Sequence, residues 1–149
     1  MKQKYIHWLL ITLHSSTITG CFVHRDVFDT PDIILKDSGQ PCISIPSKKD
    51  FFKKDKKFNV MATEVVQIGV GQLSSKYYYD PSKPYYVKTQ ECIFFNYKFQ
   101  NNIPYAISFT STENINDEWK SWVRHMRIKK NTDGTLQLLL DENAIDVTQ

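Results

Sequence analysis

Trp122-Val123-Arg124-His125-Met126-Arg127-Ile128 is the stretch on which the reading of the fold turns. Trp122, Arg124, Met126 and Ile128 hold one set of alternate positions, and Val123, His125 and Arg127 hold the other. A period of two puts each set on its own face of an extended strand. Upstream, Tyr105, Ile107 and Phe109 repeat the alternation against smaller residues. Downstream, Asn131-Thr132-Asp133-Gly134 carries turn chemistry, with Gly134 suited to a left-handed position, and an apolar run follows at 136–140.

Outward from this core the same period runs toward the N-terminus. Strand character appears at 32–36, 41–45, 57–68, 77–79, 85–87 and 91–99, with breaks at Pro, Gly, Asn and Asp. No window carries a helical stripe of eight or more residues; the best short helix candidate is 114–119. Ile68-Gly69-Val70-Gly71 lacks the third glycine and partner lysine of a phosphate loop and reads as a bend or bulge in a sheet. Seven or eight short strands predict an all-β fold, a small antiparallel β-sandwich of immunoglobulin-like kind. A small β-barrel is the alternative, because strand count alone does not separate the two.

The 149 residues suit one domain. Nine Phe, eight Tyr and three Trp mark a folded, β-rich chain, and five Gly are few for a glycine-built cofactor cradle. Residues 1–20 read as an export signal: Lys2 and Lys4 form a positive start, and a short apolar run follows, too short for a stable membrane helix. Ile18-Thr19-Gly20-Cys21 is similar to the bacterial lipoprotein box, which implies lipidation at Cys21 and cleavage before it. Phe22 in place of Asp then implies the outer membrane, periplasmic face. Removing the two signal lysines from 19 basic residues leaves 17 against 16 acidic, a balance that argues against a nucleic-acid binder. The expected organisation is a signal peptide at 1–20, a lipidated Cys and tether at 21–31, and a single β domain at 32–149.

Beyond Cys21, Cys42 and Cys92 remain. An even pair in an oxidising compartment points to a disulfide, each partner in a strand-like segment. A buried pair of free thiols is the alternative. A metal site is disfavoured, since only His24 and His125 accompany them past the signal and zinc needs four converging ligands. No catalytic constellation emerges. His125 stands between arginines without a nucleophile elbow, and Asp117 and Glu118 are adjacent, so a strand would send them to opposite faces. No enzyme activity, cofactor or metal is expected.

Two segments have the composition of a docking surface. Lys48, Lys49, Lys53, Lys54, Lys56 and Lys57 surround Phe51 and Phe52, which places apolar anchors inside a charged rim. Asp50 and Asp55 are too few to pair these lysines in a core, so the segment is expected to be exposed, as a solvated loop, as a docking site for an acidic partner or as a contact with an anionic membrane face. Tyr77, Tyr78, Tyr79, Tyr85 and Tyr86 form a second concentration, of which half should face solvent. From these segments Phe51, Phe52, Lys53, Lys54, Lys56, Lys57, Tyr77, Tyr79 and Tyr85 are the candidate partner-binding residues.

Two longer patterns carry a resemblance. The first is Gly39-Gln40-Pro41-Cys42-Ile43-Ser44-Ile45-Pro46, and the second is Gln90-Glu91-Cys92-Ile93-Phe94-Phe95-Asn96-Tyr97-Lys98-Phe99. With the strand at 105–109 and the late alternating strand, they resemble the family of small periplasmic lipoproteins proposed as immunity proteins of type VI secretion, over roughly residues 33 to 140. The family pattern has Gly where Gln90 stands. The resemblance implies one all-β domain, anchored by lipid, that neutralises a secreted antibacterial toxin by direct binding. A structural or accessory envelope lipoprotein, packing against another outer-membrane component, is the alternative function.

Overall fold

The longest strands form where the alternation is longest. In the computed structural model, which describes residues 28–47, 56–78, 80–113 and 118–145, β1 (Asp32–Leu35) and β2 (Pro41–Ser44) make an antiparallel hairpin. The larger sheet holds β3 (Lys57–Gln67), β4 (Gly71–Tyr77), β5 (Tyr85–Lys88), β6 (Pro104–Thr112), β7 (Lys120–Lys130) and β8 (Leu136–Leu140). Its order is β4-β3-β6-β7-β8, and every pairing is antiparallel. β5 pairs with the first half of β3 while β4 pairs with the second half, so the two share the edge opposite β6. The sheet does not close, and the fold is an open two-layer β-sandwich. Among the described residues the helical element is one turn, α1 (Glu142–Ile145), whose Ala144 is buried against the sheet.

The inward positions of β6 and β7 make the core as the alternation predicts. Tyr105, Ile107, Phe109, Trp122, Met126 and Ile128 are all buried. Trp122 stacks on Phe109 at 5.5 Å and donates its indole N–H to Ser111 Oγ at 2.8 Å, so the one polar atom of the ring is satisfied. Tyr105 accepts from the Gln100 amide, and burial pushes its phenol up to about 12. Arg124 shares this face but lies at its margin. Its guanidinium donates to Pro31 O at 3.0 Å and pairs with Asp141 at 3.0 Å, joining the entry of the chain to the end of β8. Beside it, Asp29 bonds through its backbone to Ser121 and Val123 of β7. The chain therefore joins the sheet at Asp29, ahead of the first strand.

The smaller layer departs from expectation at 91–99. This segment is irregular, so Cys92 does not lie in a strand. The Tyr97 amide turns back onto Phe95 O at 2.8 Å, an i to i+2 contact that breaks extension. Edge-to-face packing among Tyr97, Phe99 and Tyr105 takes the place of a ladder. The segment still docks on the hairpin. Gln90 and Ile93 donate to Ile45 and Ile43 of the β2 chain, and the Gln40 side chain holds both the amide and the carbonyl of Phe99. The Cys42–Cys92 disulfide fastens it, with Cα atoms 5.0 Å apart. Gln90 takes φ +61°, a left-handed conformation that glycine adopts at least cost.

β4 is the strand the hydrophobic pattern foreshadows least. It is an edge strand with mostly polar side chains, Gln72, Ser74, Ser75 and Lys76 among them, and carries little apolar signal. The turn before it is Gly69 at φ +82° and Gly71 at +130°, the expected bend. The β7–β8 turn closes as read, with Gly134 at φ +86° and Asp133 accepting from Thr135. Of the helix candidate at 114–119, residues 114–117 lie outside the described residues.

Candidate functional site

The outer face of the larger sheet follows from register. Cα partners share a face, so Tyr77, Ala62, Thr110 and Ser121 form one outward row across β4, β3, β6 and β7. Ser75, Glu64, Ser108 and Val123 form the next, and Tyr86, Asn59 and Thr112 form a third toward β5. Lys57 faces Lys88 one step beyond. The floor is made of small side chains, several of them hydroxylic, and Ser108 Oγ donates to the Glu64 carboxylate at 3.3 Å.

Two exposed aromatic rings stand over this floor. Tyr77 is 60% exposed and Trp119, just ahead of β7, is 58% exposed. A cleft of about 240 Å³ has both among its lining residues, with Glu64, Ser75, Ser108 and Thr110. A second, of about 140 Å³, is also lined by Trp119, with Asn59, Met61, Tyr78, Pro81 and Thr112. Three buried side-chain oxygens in these linings, Asn59 Oδ1, Thr110 Oγ1 and Thr112 Oγ1, have no hydrogen-bond partner among the described residues. Below the clefts Glu113 joins Lys120 at 2.6 Å and Lys56 at 2.5 Å. Hydrogen bonds from Lys120 and then Lys56 hold the Glu113 carboxyl below the usual carboxylate value.

The structure brings part of the predicted docking surface together. Lys57 and Tyr77 occupy the two halves of the β3 edge, outward and exposed. Lys56 is half-buried and engaged by Glu113. Tyr85 turns toward the smaller layer: its hydroxyl accepts from the Phe94 amide at 2.8 Å and its ring lies 4.8 Å from Tyr78. The neighbouring Tyr86 is the exposed member of that pair. Cys21, Phe51, Phe52, Lys53, Lys54 and Tyr79 lie outside the described residues. Trp119, Asn59 and Thr112 were missed by sequence reasoning. Trp119 lay in a polar stretch with no period, and a buried hydroxyl without a partner leaves no mark on a sequence. Among the described residues no group of three His, Cys, Asp or Glu side chains is placed to hold a metal ion.

Residues 28–131 match the model of a domain of unknown function, DUF7480. The chain belongs to the DUF7480 family. The matched span runs from the Asp29 contact through β7, so the disulfide, both clefts and the Glu113 bridge all lie inside the DUF7480 domain, while β8 and α1 follow it. No curated protein and no solved structure matches the chain.

Proposed function

We propose that this chain is a lipid-anchored periplasmic binding protein that neutralises a secreted antibacterial toxin by direct binding. The observation that supports this reading is the β3 edge. Pairing with β4 and β5 places Lys57, Lys88, Tyr86 and Tyr77, from three separate segments, along one side of the larger sheet. Exposed tyrosines give contact area at low entropic cost, and exposed lysines steer an acidic partner. Export, lipidation at Cys21 and residence on the periplasmic face of the outer membrane would put that edge where an incoming toxin arrives.

Co-expression with the product of the adjacent gene tests the proposal, scored for survival and for a stable complex. Rescue of growth together with co-purification is the expected result; a neighbour that neither harms cells nor binds overturns it. Changing Lys53, Lys54, Lys56 and Lys57 together to Gln should slow association and flatten its dependence on salt. One observation favours the second reading, an accessory envelope lipoprotein: β4 is an exposed edge strand of seven residues, a template for pairing with another chain.

A further inference from the structure

We infer that the two clefts flanking Trp119 bind a neutral saccharide two ring units long. This goes beyond toxin binding; Tyr77 belongs to both surfaces, and the remaining residues, Trp119, Asn59, Thr110 and Thr112 above all, are separate from the β3-edge set. Each cleft, at about 240 and 140 Å³, is smaller than the roughly 300–1,000 Å³ of a drug-sized site, so each takes a ring-sized group. Trp119 borders both, which places one indole between two neighbouring rings.

The chemistry of the lining selects the ligand. A sugar ring offers a flat C–H face to an aromatic surface and a rim of hydroxyls to polar atoms. Trp119 and Tyr77 supply exposed aromatic surface. Glu64, Ser108 and Ser75 supply acceptors and hydroxyls in the larger cleft. Among the described residues neither cleft is lined by Lys or Arg, so an anionic ligand finds no counter-charge there.

The second observation is independent of shape. Buried polar atoms are nearly always paired, and one left unpaired is costly. Thr112 is only 2% exposed, yet its hydroxyl has no partner, and Asn59 Oδ1 beside it and Thr110 Oγ1 in the adjoining cleft share that condition. The Asn59 amide nitrogen donates to the Met61 sulfur, at 3.2 Å. Ligand hydroxyls, each both donor and acceptor, are the groups that would complete these oxygens.

The test titrates the full-length chain, kept in a sugar-free detergent, with cellobiose, maltose, lactose and diacetylchitobiose, and with hexaglutamate as an acidic peptide. Calorimetry and tryptophan fluorescence are the readouts. Saturable binding of at least one disaccharide is expected, at least tenfold tighter than its monosaccharide. Trp119→Ala should weaken it tenfold or more and Thr112→Val several-fold, with unfolding midpoints near wild type, while Lys57→Gln leaves it unchanged. Failure of all four sugars to bind overturns the inference, as does undiminished binding by Trp119→Ala. Trp119-dependent binding of hexaglutamate without sugar binding also overturns it and makes the clefts part of a protein-docking surface. Toxin neutralisation is scored separately in cells, so either reading can fail alone.

Discussion

Trp119 and Trp122 stand three positions apart and meet opposite surroundings. Trp122 is fully buried, stacked on Phe109, with its N–H satisfied by Ser111. Trp119 lies beside clefts whose floor keeps oxygens without partners. The contrast repeats one strand away. Ser111 and Thr112 are consecutive and both buried, but Ser111 faces inward and is paired while Thr112 faces outward and is not. One face of the sheet has been completed by the protein's own atoms, and the other retains polar capacity that packing has not used. That asymmetry separates a face whose polar atoms are paired from one where several are not.

The largest way to break the comparison is Trp122→Ala. It empties a volume the size of an indole and strips Ser111 of its partner, so a loss of about 5 kcal/mol is expected in urea unfolding, at the upper end for such changes. A loss below about 2 kcal/mol would mean that the inner face is loosely packed.

Next comes the staple that fastens the 91–99 segment to the β1–β2 hairpin. Joining positions 50 apart removes denatured-state entropy worth about 4 kcal/mol in the chain-entropy model. The Cys42→Ser/Cys92→Ser variant should lose about that much, as should wild type under dithiothreitol, with thiol titration showing the pair oxidised beforehand.

Ser111→Ala and Thr112→Val sharpen the comparison most directly. The first leaves the Trp122 N–H buried and unpaired, so about 1–3 kcal/mol should be lost. The second removes an oxygen that has no partner and keeps the shape, so its midpoint should stay within about 0.5 kcal/mol of wild type or rise. Equal effects in thermal unfolding would sink the distinction between the faces.

Glu113→Gln probes the join between the faces. Its carboxyl is held below its ordinary value of 4.5 by Lys120 and Lys56, so its contribution is present above that value and is lost as pH falls through the lowered one. A loss of about 0.5–1 kcal/mol is expected at neutral pH, since the pair is partly solvated, and the gap from wild type should close under acid. The smallest effect belongs to Trp119→Ala, within about 0.5 kcal/mol by chemical denaturation, because its ring is more than half exposed.

Much of the fold was legible because burial on one face of a strand imposes a period of two. The alternation at 105–109 and 122–128 named the core residues of β6 and β7, and the Asn131–Gly134 turn named the hairpin that follows. Signals weakened where that constraint lapsed. β4 is an edge strand exposed along most of its length and carries little of the period, while 91–99 alternates in burial yet turns back at Tyr97 and pairs in no ladder, so its period misread it as a strand.

By itself the sequence determined the class of fold and which residues line the inner face, because these depend on local periodicity, and it offered Cys42 and Cys92 as the pair within the β domain. Tertiary structure alone decided what lies across the outer face. Tyr77 meets Thr110, and Tyr86 meets Asn59 and Thr112, only through strand register between segments far apart in the chain. Register is set by bulges, turns and packing between layers, and the polar atoms it leaves without partners appear only when every neighbour is in place.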